Sequence, residues 1–180
     1  MEKEKAMEMS RTAGAAVADT VPKMFWHGVQ TRAGKTFLRQ KELGIWRAVN
    51  WTELGQAARE IGMGLASFGY QPGEVASIPS NTLKEWVYAD LGALSAAGVV
   101  NGIYPTDAPA QVEYLLTDSG SVFVFVEDDE QLDKVLEVRA RAPKLRKIIV
   151  FDMEGLHDVN DPQVLRIGRA SCRERVYVLV

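Results

Sequence analysis

The chain has 180 residues, enough for one domain with a buried core. Its formal charge is −3, and Lys and Arg are interleaved with acids, so no basic stripe marks a nucleic-acid surface. No apolar run approaches the roughly 20 residues that span a bilayer, and the single cysteine, Cys172, excludes a disulfide framework and a Cys-based zinc site.

Residues 1–19 lack periodicity and aromatic side chains and read as a disordered tail. They lack the pattern of a secretory signal, so a cytoplasmic location is the default expectation. Thr20 is placed to cap a helix running to about Arg32, with Pro22 in its first turn. Lys35 to Glu42 and Ile45 to Asn50 read as two strands of a hairpin, joined through Leu43-Gly44. Thr52 is the expected cap of the clearest helix. Its apolar residues Leu54, Ala57, Ala58, Ile61, Leu65 and Phe68 form one amphipathic stripe, and Gly69 follows as the stop.

From here the pattern becomes a repeating strand–helix unit. Glu74 to Ile78 reads as a short strand, and Thr82 to Glu85 has the spacing of a capping box for a helix stopped by Gly98. Val99 to Tyr104 is a second strand, after which Pro105-Thr106-Asp107 opens a helix ending near Gly120. Val122 to Val126 is an unbroken apolar run, as in a strand buried on both faces. A helix from Glu130 to Ala140 and a strand from Lys147 to Phe151 complete the series. Strands and helices in this alternation imply consecutive βαβ units, hence an α/β fold with a mostly parallel, layered sheet.

After Phe151 the periodicity decays, and Arg166 onward continues neither pattern. Ile167 to Val176 resembles a translated sequencing-library adapter, so residues 166–180 are expected to be a non-native tail. That reading leaves no basis for a redox or nucleophilic role of Cys172.

Constellations that carry chemistry are scarce. His27 and His157 have no partner at metal-ligand spacing. Gly62-Met63-Gly64 with Gly69 imitates a phosphate loop, but it lies late in a helix and not between a strand and a helix start. The acids Glu127 to Glu130 are better explained by the dipole of the helix they open than by a metal site. On the residues alone, the sequence describes an α/β domain without a visible active site.

Three segments carry a resemblance. They are Asn81-Thr82-Leu83-Lys84-Glu85-Trp86-Val87-Tyr88-Ala89-Asp90-Leu91-Gly92, then Gly98-Val99-Val100-Asn101-Gly102-Ile103-Tyr104-Pro105-Thr106, then Gln111-Val112-Glu113-Tyr114-Leu115-Leu116-Thr117-Asp118-Ser119-Gly120. In order and spacing they resemble the N-terminal region of long-chain fatty-acyl-CoA synthetases, members of the adenylate-forming enzymes. The likeness covers about residues 20–160. It implies the N-terminal portion of the family's large domain, an incomplete subdomain over residues 20–165 preceded by a helix and a β-hairpin.

The resemblance also implies a reaction. A fatty carboxylate attacks the α-phosphate of ATP with Mg²⁺ present, and the CoA thiol then displaces AMP from the acyl-adenylate. Asn81, Glu85, Trp86, Tyr104, Pro105 and Thr106 match the family pattern as scaffold, with no catalytic, cofactor-binding or metal-binding residue carried over. The family's Ser/Thr/Gly-rich loop ending in Pro-Lys-Gly, its Tyr-Gly-x-Thr-Glu segment and its C-terminal lysine have no counterpart here. The expectation is therefore a fragment of a ligase, inactive alone. An aryl or medium-chain acid as substrate, and a self-contained α/β binding or regulatory module, stay open as alternatives. So do peripheral membrane association, for which no basic amphipathic helix argues, and the oligomeric state.

Overall fold

The computed structural model of the protein describes residues 19–167, in two compact units that divide between Gln56 and Ala57. The first unit opens with helix α1 (Val21–Arg32), capped by Thr20, whose hydroxyl accepts from the Lys23 N–H at 3.4 Å. Strands β1 (Thr36–Glu42) and β2 (Ile45–Asn50) form the expected antiparallel hairpin. Helix α2 (Trp51–Ser67) follows β2 without a linker. For that reason its cap is the last strand residue, Asn50, and not Thr52. The Asn50 side chain accepts from the Glu53 N–H and the Glu53 carboxylate accepts from the Asn50 N–H, both at 2.9 Å. This reciprocal pair is a capping box.

Trp51 anchors the small core of this unit. Its ring stacks on Phe25 at 6.3 Å and meets the edge of Phe37 at 4.7 Å, while the Arg32 guanidinium lies over it at 5.2 Å. The indole crosses Gly28 so closely that a β-carbon there would come within 2.2 Å of it. No other residue type fits at Gly28 without moving the ring.

The second unit begins within α2, at Ala57, and continues with β3 (Val75–Pro79), α3 (Lys84–Ser95), β4 (Val99–Ile103), α4 (Pro109–Ser119), β5 (Phe123–Val126), α5 (Asp129–Val138), β6 (Lys147–Val150) and β7 (Val164–Arg166). The sheet order is β4-β3-β5-β6-β7, and every neighbouring pair is parallel. The α/β class and the parallel sheet are as expected. Strand β7 is an addition, because it is short and reached through residues 151–163 without a helix, so no strand–helix alternation announces it.

Alternate residues of β5 face opposite sides, which sorts the core into two layers. Val124 and Val126 pack with Val112 and Leu116 of α4 and Leu132, Val135 and Val138 of α5. Phe123 and Phe125 pack with Ile61 and Leu65 of α2 and Ala89 and Ala93 of α3. All of β5 is buried, as its unbroken apolar run requires.

Both ends of α3 differ from the sequence reading, and α4 starts at Pro109 after Ala108, beyond the Pro105-Thr106-Asp107 expected to open it. Helix α3 is preceded by Leu83 with no side-chain cap, and Thr82 is exposed, because the loop before it is tied down from another strand. At its other end the left-handed residue is Ala97, with φ of 60°, not Gly98. Gly98 serves a different need: a β-carbon there would lie 2.0 Å from the Tyr70 hydroxyl. That phenol is buried and donates to the Glu74 carbonyl at 2.7 Å, and burial pushes its pKa up to about 12.

Arg166, expected in the non-native tail, closes β7, and the Ile167 N–H donates to the Val150 carbonyl at 3.0 Å. Residues 168–180, with Cys172 and most of the adapter-like stretch, lie outside the described residues, as do residues 1–18 of the expected disordered tail.

Candidate functional site

Strand order reverses at β3. The chain passes from β3 to β4 on one side and then returns to β5 on the other. In open α/β sheets, the crevice beyond the carboxyl ends of the strands at such a switch point is where ligands bind. Here those ends are followed by Ser80 and Asn81 after β3, Tyr104-Pro105-Thr106 after β4, and Glu127 after β5.

Glu127 closes the crevice. One of its carboxylate oxygens accepts from the Asn81 backbone N–H at 2.6 Å and the Asn81 side-chain amide at 3.0 Å, and lies 3.2 Å from the Ser80 hydroxyl. Ser80 Oγ also lies 2.8 Å from the Asn81 carbonyl. The other acids of the cluster serve the helix start. Asp128 caps α5 by accepting from the Gln131 N–H at 3.0 Å, and Asp129 accepts from the Glu130 N–H at 2.9 Å. Sequence reasoning treated Glu127 as one more acid at a helix start. The signal that separates it is its place directly after a fully buried strand.

The turn after β4 is equally fixed. The Pro105 carbonyl accepts from Lys134 Nζ at 2.6 Å and from the Gln131 side-chain amide at 3.2 Å. Gln131 is buried, and Lys134 also pairs with Glu130 at 2.8 Å. Tyr104 is held 78% exposed on this turn, and Thr106 is exposed beside it. Glu85 opens α3 and lies 3.8 Å from Lys84. Trp86 is half-buried against the α2–α3 layer and covers Gly102 of β4, where a β-carbon would sit 3.7 Å from the ring. Further along α3, burial raises the carboxyl of Asp90 above the usual range.

The signature residues thus gather. Asn81 and Tyr104 to Thr106 share the carboxyl edge of neighbouring strands, with Glu85 and Trp86 at the start of the helix that follows. The histidines do not join them; His27 and His157 are both exposed elsewhere. The described residues do not fit ATP or Mg²⁺ on their own. Glu127 is committed to Ser80 and Asn81, the loops after β3 and β5 contain no glycine, and no group of three acids, histidines or cysteines is placed to hold a metal ion among the described residues.

The sequence profile of the family described as "AMP-binding enzyme" matches residues 25–166. The chain belongs to the AMP-binding enzyme family. Among curated relatives of this AMP-binding chain, the long-chain-fatty-acid–CoA ligase ACSBG1 of Bos taurus is 24% identical over 132 residues, covering 73% of the chain and 18% of the relative. The long-chain-fatty-acid–CoA ligase FadD15 of Mycobacterium bovis is 34% identical over 106 residues, covering 59% of the chain and 18% of the relative. The chain therefore spans about 18% of the length of these relatives.

Solved structures agree on the fold. The anthranilate CoA ligase AuaEII, in complex with anthranoyl-AMP, superposes with a TM-score of 0.67 at 24% identity, over 72% of the chain and 24% of its own length. The acetoacetyl-CoA synthetase of Streptomyces lividans gives 0.68 at 20% identity, over 81% of the chain and 24% of its own length.

Proposed function

We propose that this chain is the sheet-forming N-terminal part of an ATP-dependent ligase that activates a long-chain fatty acid as its adenylate and transfers the acyl group to CoA. The observation that carries the reading is the family match over residues 25–166, joined to curated relatives named as long-chain-fatty-acid–CoA ligases. In this reading residues 20–165 are a subdomain that supplies framework. The Glu127 bridge and the Pro105 clamp hold the carboxyl edge of the sheet rigid, and a rigid framework is what positioning and electrostatic catalysis need. The groups that contact ATP, CoA and Mg²⁺ are assigned to polypeptide outside this chain, and the enzyme works in the cytoplasm.

ATP–pyrophosphate exchange tests this. The 180-residue chain alone is expected to give no exchange with a fatty acid. A polypeptide that continues into a Ser/Thr/Gly-rich loop ending in Pro-Lys-Gly is expected to give exchange that depends on a long-chain fatty acid. Exchange with anthranilate but not with fatty acids would move the substrate to the aryl class, which the AuaEII likeness makes the second reading. Absence of exchange with either acid would remove the ligase reading.

A further inference from the structure

The hairpin tip departs from what folding alone selects. A two-residue connection with both residues at positive φ is normally built from Asn, Asp or Gly. Here the first residue is Leu43, at φ of 47°, a region that a leucine enters only at a cost. It gains no burial in return, since Leu43 is 103% exposed, and its neighbours Ile45 and Trp46 are 58% and 65% exposed. A strained residue that contributes nothing to packing points to a use outside the fold.

The charges around the tip say what that use is. Between residues 36 and 50 the cations are Arg39, Lys41 and Arg47, against the single acid Glu42. This is a local reversal of sign in a chain of net charge −3. The register puts Ile45 and Arg47 on one face, opposite Glu42 and Gln40. Lys41 opposite Trp46 and Arg39 opposite Ala48 place two cations and the indole on the other face, so cations stand behind the tip on both sides. Arg39, Trp46 and Ala48 line an open hollow of about 540 Å³ on that face. Apolar residues at a tip, an indole beside them and cations behind match the layering of an anionic bilayer, from hydrocarbon through interface to phosphate. A nucleic-acid backbone would engage the cations but make no use of Leu43 or Ile45.

We propose that the β1–β2 hairpin is a lipid-docking wedge, which inserts Leu43, Ile45 and Trp46 into the interface of an anionic bilayer while Arg39, Lys41 and Arg47 engage its headgroups. It rests on the hairpin alone, so failure of the exchange assay leaves it standing and its own failure leaves the ligase reading untouched.

The test is co-sedimentation of the longer polypeptide used in the exchange assay with vesicles of phosphatidylcholine, alone or mixed with phosphatidylserine. Binding is expected to the mixed vesicles only and to fade with added salt. Lys41→Gln and Arg39→Gln should each weaken it about fivefold. Leu43→Asn separates docking from folding, because asparagine suits the left-handed position. It should raise the urea midpoint of unfolding while lowering vesicle binding. Equal binding to neutral and mixed vesicles, no binding, or undiminished binding by Leu43→Asn would each overturn the proposal. So would a concentration-dependent dimer that Leu43→Asn dissolves, since the hairpin would then serve a second copy of the chain.

Discussion

A carboxylate oxygen that gathers a backbone amide, a side-chain amide and a hydroxyl, as Glu127 does with Asn81 and Ser80, is worth more intact than its parts suggest. Removing it takes three hydrogen bonds from the loop after β3. Glu127→Ala is therefore expected to lower stability by about 1–3 kcal/mol. Glu127→Gln should cost less, since its amide oxygen still accepts. Urea unfolding of the three proteins measures this, and equal midpoints for the wild type and Glu127→Ala would show that the bridge carries no weight. Asn81 was legible in the sequence as part of a family signature, but its partner was not. The two are 46 residues apart, and only the insertion of β5 beside β3 brings them together. Tyr104 to Thr106 were legible in the same way, whereas the Lys134 and Gln131 donors that fix Pro105 come from a helix whose placement no spacing reveals.

At the scale of elements, periodicity located the helices and strands well and their ends less well. Interiors are set by the repeat of buried residues, which sequence displays. Ends are set by which nearby polar group reaches the free N–H groups first. Helix α2 shows the competition: Thr52 has the right side chain, but Asn50 and Glu53 stand at the right places once the strand runs straight into the helix. Asn50→Ala should accordingly cost about 1 kcal/mol, in the usual range for a lost cap. Thr52→Ala, at an exposed position, should change stability little. A thermal-melt comparison decides it, and the reverse ranking would restore Thr52 as the cap. Gly98 teaches the same lesson from sterics: a glycine after a helix reads as a stop, yet here it clears space for Tyr70.

Across the whole second unit, the sheet ends differently on its two sides. Strand β4 is an edge with Val99 49% exposed, whereas the other side is extended by β7, a strand too short to hold itself. Val164 and Leu165 pack on the two core layers, and polar contacts from the residues around the strand add to this hold. Arg139 pairs with Asp161 at 2.5 Å, the Gln163 side-chain amide donates to the Leu145 carbonyl at 2.8 Å, and Lys147 donates to the Pro162 carbonyl at 2.7 Å. The Gln163 N–H and then the Arg139 guanidinium hold the Asp161 carboxyl below its ordinary range. A carboxyl whose pKa is lower when folded stabilises the fold at pH above its unfolded value, near 4, and that stabilisation is lost as pH falls through the folded value. Acid should therefore release β7 first. In hydrogen exchange, the Ile148 amide, bonded to the Gln163 carbonyl, and the Ile167 amide, bonded to Val150, should lose protection before the Val122 amide, bonded to Val75 in the sheet centre. Asp161→Asn should show the same early exchange already at neutral pH, and its acid limb should be flatter than that of the wild type. If all three amides open together in acid, β7 belongs to the cooperative core and its polar pins are ornamental to it.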